Sequence, residues 1–547
     1  MPNNRKIIYV LLGVIFFIAV LFRFINLNAY PAGFHIDEAS LGYNGYSLLS
    51  TGKDDNGNFL PLYVDMFGDN RPSGYHYLTI IPIMLFGLTE FATRFPGALF
   101  GSLTVFAMYF LANVIFKNKA ISLLSAFLVA VSPWHIVLSR ASAEAVVALF
   151  FIIFGFALLI NGLRENKNRY IIWGAILTPI SYFFYHTPRV FVPLAFLTLT
   201  TFFFSFWKRE MKPIRIKILL VFIFLSALAL FLVFLVKGGT GRYSQVNIFN
   251  NFETNFFIGQ ERQEDSLAHA SLFLSRVVHN KVTNVLRVFI DNYFHYFSGD
   301  FLFTKGGLPV WYSVPRAGLV YLIELPFLLF GLYALVKNKS IIYKIPVLWL
   351  IVSPVVAAIT MDDVPNVNRA IVMVPALEII AAVGFFYAWD LFHKKKLLFM
   401  LIALLFLGNV FYFTYQYFVN APMHDNWYRN SGFSQMMKAV NENYNKYDVV
   451  VVSKYQGGIY PLVLFYSKYD PATYQKEGSP KNKDYGGFGK FFFVPQDCPS
   501  TQRNDKTPKN KRILYVDRGD CSTGKSLNSN EIVVYREDGT KAFRIAL

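Results

Sequence analysis

The stretch KIIYVLLGVIFFIAVLFRFINLNAYPAGFHIDEASLGYNGYSLLSTG, residues 6–52, sets two chemically opposed halves end to end. The first half is an apolar run of the length that crosses a bilayer, about 20 residues. The second opens on adjacent carboxylates, Asp37 and Glu38, and continues as a helix-like segment that stops at Gly52. Residues 2–22 also have the outline of a secretory signal, with Arg5 and Lys6 as its basic start. No small-x-small cleavage pattern follows, so the segment is expected to stay as a first membrane helix. Which side of the membrane the acidic pair faces then decides what it can do.

Working outward, the same apolar character recurs in AVVALFFIIFGFALLI, ILLVFIFLSALALFLVFLV and LLFMLIALLFLGNVFYF. The whole chain of 547 residues is 54% hydrophobic and 16% charged, where a soluble chain carries about 25% charged residues. A mostly α, polytopic membrane protein is expected. The runs place spans at 7–27, 97–116, 120–138, 143–163, 170–184, 190–207, 218–236, 317–336, 345–360, 370–391 and 397–418, about 11 transmembrane helices. Alternate connections (1–6, 117–119, 164–169, 208–217, 337–344 and 393–396) together hold eighteen Lys and Arg against two acids, Glu165 and Glu210. Short basic loops stay cytoplasmic, so the N-terminus is expected inside and Asp37 and Glu38 outside. The formal net charge of +18 thus reports topology, and nucleic acid is excluded as a partner.

The remaining connections share the outer side with the acidic pair, and near residue 419 the sequence turns polar. Residues 1–418 read as the membrane domain and 419–547 as a small extracytoplasmic α/β domain. Its expected elements are a helix at 432–444, a strand in DVVVVS, a helix near PLVLFYSKYD, a strand in RILYV and a closing hairpin turned at Asp538–Gly539. The only two cysteines, Cys498 and Cys521, lie in this tail. An external location permits a disulfide, and two free thiols are the alternative. The tail also contains GDCSTGKS, a formal G-x-x-x-x-G-K-[ST] match. That motif works by opening a helix whose amides cradle phosphate, and here SLNSN leads directly into the strand-like EIVVY. We read the match as accidental.

On the outer side, Asp37 and Glu38 are explained equally well as a helix cap and first-turn acid or as a general base beside an acceptor hydroxyl. Glu90 and Arg94 in TEFATRFPGALFG, and Arg140 and Glu144 in SPWHIVLSRASAEA, repeat an i, i+4 spacing, which in isolation describes weak surface pairs. Arg189 in YHTPR and Arg369 in DDVPNVNRA stand at two further membrane entrances, where snorkelling is the plain explanation. Single arginines at several outer ends, where topology does not favour positive charge, point instead to phosphate, whose oxygens suit the planar guanidinium. Carboxylates and arginines together suggest chemistry between a hydroxyl and a phosphate. The carboxylates could hold a divalent ion, although His35, His135 and His186 show no zinc-like spacing, and no cofactor is otherwise called for.

In their order, HIDEASLGYNGYSLL, TEFATRFPGALFG, SPWHIVLSRASAEA, YHTPR, NYFHYFSGDFLFTKGG and DDVPNVNRAIVMVPAL resemble the GT-C glycosyltransferases of the protein O-mannosyltransferase and aminoarabinose-transferase type, over about residues 6–418. The resemblance implies a GT-C membrane fold and inverting transfer of a sugar from a polyprenyl-phosphate donor to a glycan, lipid or protein acceptor outside the cytoplasm, with membrane lipid around the spans. It implies Asp37 as catalytic base, and Arg94, Arg189 and Arg369 as holders of the donor phosphate. Glu38 and Glu90 would orient sugar or acceptor, with Arg140, Glu144, Tyr185 and His186 also lining the substrate. The loop at 237–316 is too short for the β-trefoil repeats of eukaryotic protein mannosyltransferases, so a protein acceptor does not follow. A transporter or flippase of lipid-linked sugars is the competing class. It predicts charged or broken helices at mid-membrane, whereas these spans read as largely uncharged.

Overall fold

The computed structural model describes residues 5–66, 69–210, 247–249, 252–424, 426–454, 458–477, 486–502, 510–521 and 531–547. They form two compact units. The first comprises Met1–Arg23, Leu99–Ser139 and Ala143–Phe413, and the second Phe24–Ala98, Arg140–Ser142 and Thr414–Leu547.

The first unit is helical. It holds α1 (Arg5–Phe24) up to Arg23, most of α4 (Glu90–Phe116), α5 (Lys119–Val131), α6 (Pro133–Arg140) up to Ser139, α7 (Glu144–Arg164), α8 (Asn168–Ile180), α9 (Pro188–Glu210), and later helices ending with Lys396–Tyr415 up to Phe413. Glycines allow close helix crossings within it. Gly155 and Gly174 bring α7 against α8, and Gly331 and Gly384 bring Leu325–Lys337 against Val374–Phe392. Among the described residues, six helices are long and apolar enough to cross a membrane, or seven if the bent pair α5 and α6 is one span.

The count of 11 is therefore not reproduced in these residues, and the differences have local causes. The expected span 120–138 breaks at Ser132, where α5 and α6 meet at 51°. Pro133 has no N–H and its ring clashes with the preceding turn. The expected span 317–336 starts only at Leu325, after a 3-10 turn at Leu322–Glu324 and with Pro326 in its first turn, where proline's fixed φ and missing N–H suit a helix start. The expected span 345–360 is matched by the candidate span Ile341–Ala358, within which the helix is broken at Ser353–Pro354. The span 218–236 lies outside the described residues. A short apolar helix at Gly74–Phe86 is not among the expected spans, but it falls in the stretch 53–96 that the sequence left open to a short or re-entrant helix.

In the second unit, α2 (Ile36–Thr51), a hairpin of β1 (Tyr63–Met66) and β2 (Asp69–Pro72), and α3 (Gly74–Phe86) precede the start of α4. The tail forms one sheet from β3 (Val449–Ser453), β4 (Gly487–Phe488), β5 (Phe491–Val494), β6 (Ile513–Arg518), β7 (Glu531–Tyr535) and β8 (Lys541–Ala546), in the order β4-β5-β3-β6-β8-β7. The central β3 is parallel to both neighbours and buried at every position, as a continuous valine run requires. Cys498 and Cys521 are joined by a disulfide. Lys525 and Ser526 of the phosphate-loop-like stretch lie outside the described residues.

The tail and the loop after the first helix share one core. Phe34, Ala39 and Tyr43 pack with Phe433, Leu462, Val463 and Phe465. Gly42 sits at the contact of α2 with the helix Tyr460–Ser467, where a Cβ would press within 2.6 Å of the Phe465 ring.

Candidate active site

The acidic pair owes its placement to how α2 begins. His35 is the residue before the helix; its Nδ1 accepts from the Asp37 N–H at 3.2 Å, and its own N–H donates to Glu38 Oε2 at 3.2 Å. With His35 as the cap, Asp37 is free of that duty and its carboxylate turns to the β1–β2 hairpin. There Arg71 Nη1 lies 3.0 Å from Asp37 Oδ2 while Arg71 Nε donates to Asp69 Oδ2 at 3.1 Å. The Asp37 side chain keeps 17% exposure. Burial pushes its pKa up, but Arg71 and His35 outweigh that and hold it below the ordinary carboxylate value. Asp37 is ionised at neutral pH.

Glu38 differs from its neighbour. It is 2% exposed, and its carboxylate accepts from Arg94 Nε at 2.9 Å, Ser142 Oγ at 3.2 Å, the His35 N–H, and Arg429 Nη2. Burial alone would raise its pKa, and Arg94 and Arg429 bring the net shift below the ordinary value. Arg94 is 0% exposed, and all five of its N–H groups have protein acceptors. These are the two Glu38 oxygens and the carbonyls of Leu27, Asn28 and Gly33. No N–H of Arg94 is left for a phosphate in this arrangement. The i, i+4 partner Glu90 is 3.9 Å away, and Glu90 instead accepts from Tyr466 OH at 2.5 Å. Glu38 and Arg94 are the tie that holds α2, the 24–34 loop and the tail in one piece.

Arg140 belongs to the same unit. Its Nη2 donates to the carbonyls of Ile25 (2.8 Å) and Tyr30 (3.2 Å), and its guanidinium lies over the rings of Tyr417 and Phe418. The second unit thus brings Asp37, Glu38, Glu90, Arg94 and Arg140 together with Arg71, Ser142, Arg429 and Tyr466, four residues that sequence reasoning missed. Arg71 stands in DNRP, whose turn residues mark a hairpin and nothing more. Arg429 has no local signal, since its partner Glu38 is 391 positions away.

The other expected residues lie in the first unit. Glu144 opens α7. Arg189 is 8% exposed; its Nε and Nη2 donate to the Tyr182 carbonyl, and its Nη1 is 2.9 Å from His186 Nδ1. Arg369 donates to Thr360 Oγ1, the Asp362 carbonyl and Asp362 Oδ2, each at 2.8 Å. Tyr185 and Tyr296 both act electrostatically on Arg369, so YHTPR and DDVPNVNR converge within this unit. Among the described residues no three His, Cys, Asp or Glu side chains come together as a metal site. Asp37 and Glu38 are balanced by arginines instead, which is a poor donor set for a divalent ion.

Residues 70–236 match the family model described as dolichyl-phosphate-mannose-protein mannosyltransferase. No curated protein matches the chain in sequence. The crystal structure of ArnT from Cupriavidus metallidurans bound to undecaprenyl phosphate superposes with a TM-score of 0.52 at 14% identity, over 98% of each chain. The Archaeoglobus fulgidus oligosaccharyltransferase, crystallised with zinc and sulfate, has the same TM-score and identity over 84% of this chain. This chain spans 61% of that enzyme's length. The resemblance to GT-C membrane glycosyltransferases holds in the family match and in the fold.

Proposed function

We propose that this chain is an integral-membrane, inverting glycosyltransferase that moves a sugar from a polyprenyl-phosphate donor to an acceptor hydroxyl on the extracytoplasmic side. The observation that carries the proposal is the contrast between Asp37 and Glu38. Two adjacent carboxylates are treated oppositely: Glu38 is sealed in a buried ion cluster, while Asp37 is ionised, partly exposed and fixed on a rigid helix start.

In this reading Asp37 accepts the hydrogen bond of the acceptor hydroxyl and takes its proton as the new glycosidic bond forms, an effect worth about 10²–10⁴-fold. With its pKa held low by Arg71 and His35, it is a weak base that stays ionised. Its strength rises if donor phosphate draws Arg71 away. Positive charge grows on the sugar and negative charge on the departing phosphate, so cationic donors aimed at that phosphate stabilise the transition state. We assign phosphate recognition to Arg189 and Arg369, with Tyr185 and His186 as neighbours, and sugar or acceptor contacts to Glu90, Arg140 and Glu144. Glu38 and Arg94 act as positioning residues, and Arg429 joins them. A related fold binds such a carrier, since the ArnT structure holds undecaprenyl phosphate.

The test is sugar release from a panel of labelled polyprenyl-phosphate sugars by the purified chain in detergent, wild type beside Asp37→Asn. Release by the wild type and near-complete loss in a folded variant is expected. Equal turnover by both refutes Asp37 as base. The second reading, a flippase, is favoured by one observation: Glu378 lies buried inside the span Val367–Phe392. It predicts donor movement across vesicles without release of sugar.

A further inference from the structure

The helix Lys281–His295 in the first unit carries its apolar face outward. Val282, Leu286, Ile290 and Phe294 follow one another at i, i+4 spacing and so share one face, and each is between 45% and 76% exposed. The residues that this helix buries are polar, Asn284 and Asn292. The helix Leu272–Val278 just before it adds Leu272, Phe273 and Val277, all exposed. A surface helix ordinarily turns its apolar stripe to the core, and a contiguous exposed apolar face marks an interaction site. At 7 and 15 residues, neither helix reaches the length of about 20 residues that crosses a bilayer.

The inward side of the helix shows what its outward side meets. Asn292 Nδ2 donates to the carbonyls of Ala358 at 3.2 Å and Thr360 at 3.0 Å, and Ala358 is the last residue of the candidate span Ile341–Ala358. The next residue, Tyr293, donates its OH to the Ile351 carbonyl at 2.8 Å, about two turns back along that span. The helix is therefore fastened where a membrane-crossing segment ends. Ile351 is itself exposed, so the apolar stripe continues, through Tyr293, the lipid-facing side of the span. The rings of Phe289, Phe294 and Phe297 stand 6.0, 5.5 and 5.4 Å from that of Tyr293, an aromatic cluster of the kind found at headgroup level. Polar links hold the helix from elsewhere and leave the stripe open. Arg287 Nη1 is 2.6 Å from Glu261 Oε1, and His279 Nδ1 is 2.8 Å from Glu261 Oε2, on the helix Phe252–Leu267.

We propose that Leu272–His295 is an in-plane docking element that rests in one leaflet of the bilayer. Val282, Leu286, Ile290 and Phe294 lie among the acyl chains, and Arg287 and Asp291 stay at the headgroups. A polar helix with one strongly apolar face lies in the interface in this way, its apolar side about 5–10 Å deep. Glu261, Glu264 and Asp265 on the preceding helix offset Arg276, Lys281 and Arg287, so apolar burial drives the docking and anionic lipid is not required. Part of the connection 237–316, an external loop by sequence, is then membrane surface.

The test is a depth measurement on the intact chain in phosphatidylcholine vesicles, with nitroxide labels on Leu286→Cys, Ile290→Cys and Phe294→Cys, one at a time and with the native disulfide left closed. Leu404→Cys, exposed on the span-forming helix Lys396–Tyr415, and Lys438→Cys, exposed in the tail, are the lipid and water references. Relaxation of each label by oxygen, which concentrates among acyl chains, is compared with relaxation by a water-soluble nickel chelate. The expected result is that the three stripe labels match Leu404→Cys, with a ratio of oxygen to nickel relaxation several-fold above that of Lys438→Cys, while Asp291→Cys falls between the references. Nickel relaxation of the stripe labels equal to that of Lys438→Cys places the face in water and overturns the proposal. Weak relaxation by both reagents means that protein covers the face, a second copy or another partner, and overturns it equally. These side chains are exposed, so a label displaces no packing, and Val282→Cys replaces any variant that fails to fold. The readout is depth in lipid, so its failure is distinct from a failure of sugar transfer.

Discussion

Replacing Arg94 separates two roles that its position alone does not distinguish. If Arg94 held the donor phosphate, Arg94→Lys would raise the KM for donor and leave stability nearly unchanged. The geometry requires the opposite. Arg94 makes five hydrogen bonds at 0% exposure, two of them to the buried Glu38 carboxylate. Breaking a buried ion pair from one side costs about 3–5 kcal/mol. Each of the carbonyls of Leu27, Asn28 and Gly33 left without a donor adds about 1–3 kcal/mol where water does not reach it. Arg94→Met therefore removes an amount comparable with a whole domain's stability of about 5–15 kcal/mol, and it should fail to accumulate as folded protein. Lysine keeps the charge but offers about three donors for the same acceptors, so Arg94→Lys should fold with a midpoint lowered by roughly 10 °C. Thermal unfolding in detergent, followed by tryptophan fluorescence and by retention of a monodisperse peak, measures both. The pH dependence carries a matching sign. The Glu38 carboxyl is held below its ordinary 4.5, so the stability it contributes is present above that value and is lost as pH falls through the lower folded value. A midpoint for Arg94→Lys within experimental error of wild type, with a raised donor KM, would refute the structural role and return Arg94 to the phosphate.

Three other changes probe separate parts of the molecule. Arg71→Ala removes the charge that most strongly lowers the Asp37 pKa, so the acid limb of the pH–rate profile should move to higher pH; a shift the other way, or none, counts against the pairing. Cys498→Ser opens a disulfide that links positions 23 apart, which should cost about 3 kcal/mol, read as a lower urea midpoint in the variant and an unchanged one under reductant. Gly384→Ala places a Cβ against the Phe327 carbonyl, and overpacking of this kind costs about 1–3 kcal/mol or more. Gly13→Ala, which meets nothing, serves as its control in the same thermal assay.

What could be read from the chain alone was local or periodic. Apolar runs marked most of the membrane helices, because burial in lipid demands an unbroken stretch. In the tail, DVVVVS, PLVLFYS, RILYV and the Asp538–Gly539 turn announced their elements, because strand composition and turn chemistry act over a few residues. The carboxylates and arginines at the ends of the apolar runs were also visible as residue types. Which of them pair was not. Arg94 has one carboxylate four residues away and another 56 away, and it takes the distant one at 2.9 Å against 3.9 Å. The core that joins Phe34 to Phe465, and the arrival of Arg429 at Glu38, likewise leave no trace in spacing. Sequence period specifies a face and a propensity. A buried carboxylate's partners are chosen by desolvation, which favours whichever guanidinium the tertiary fold carries into the same dry space.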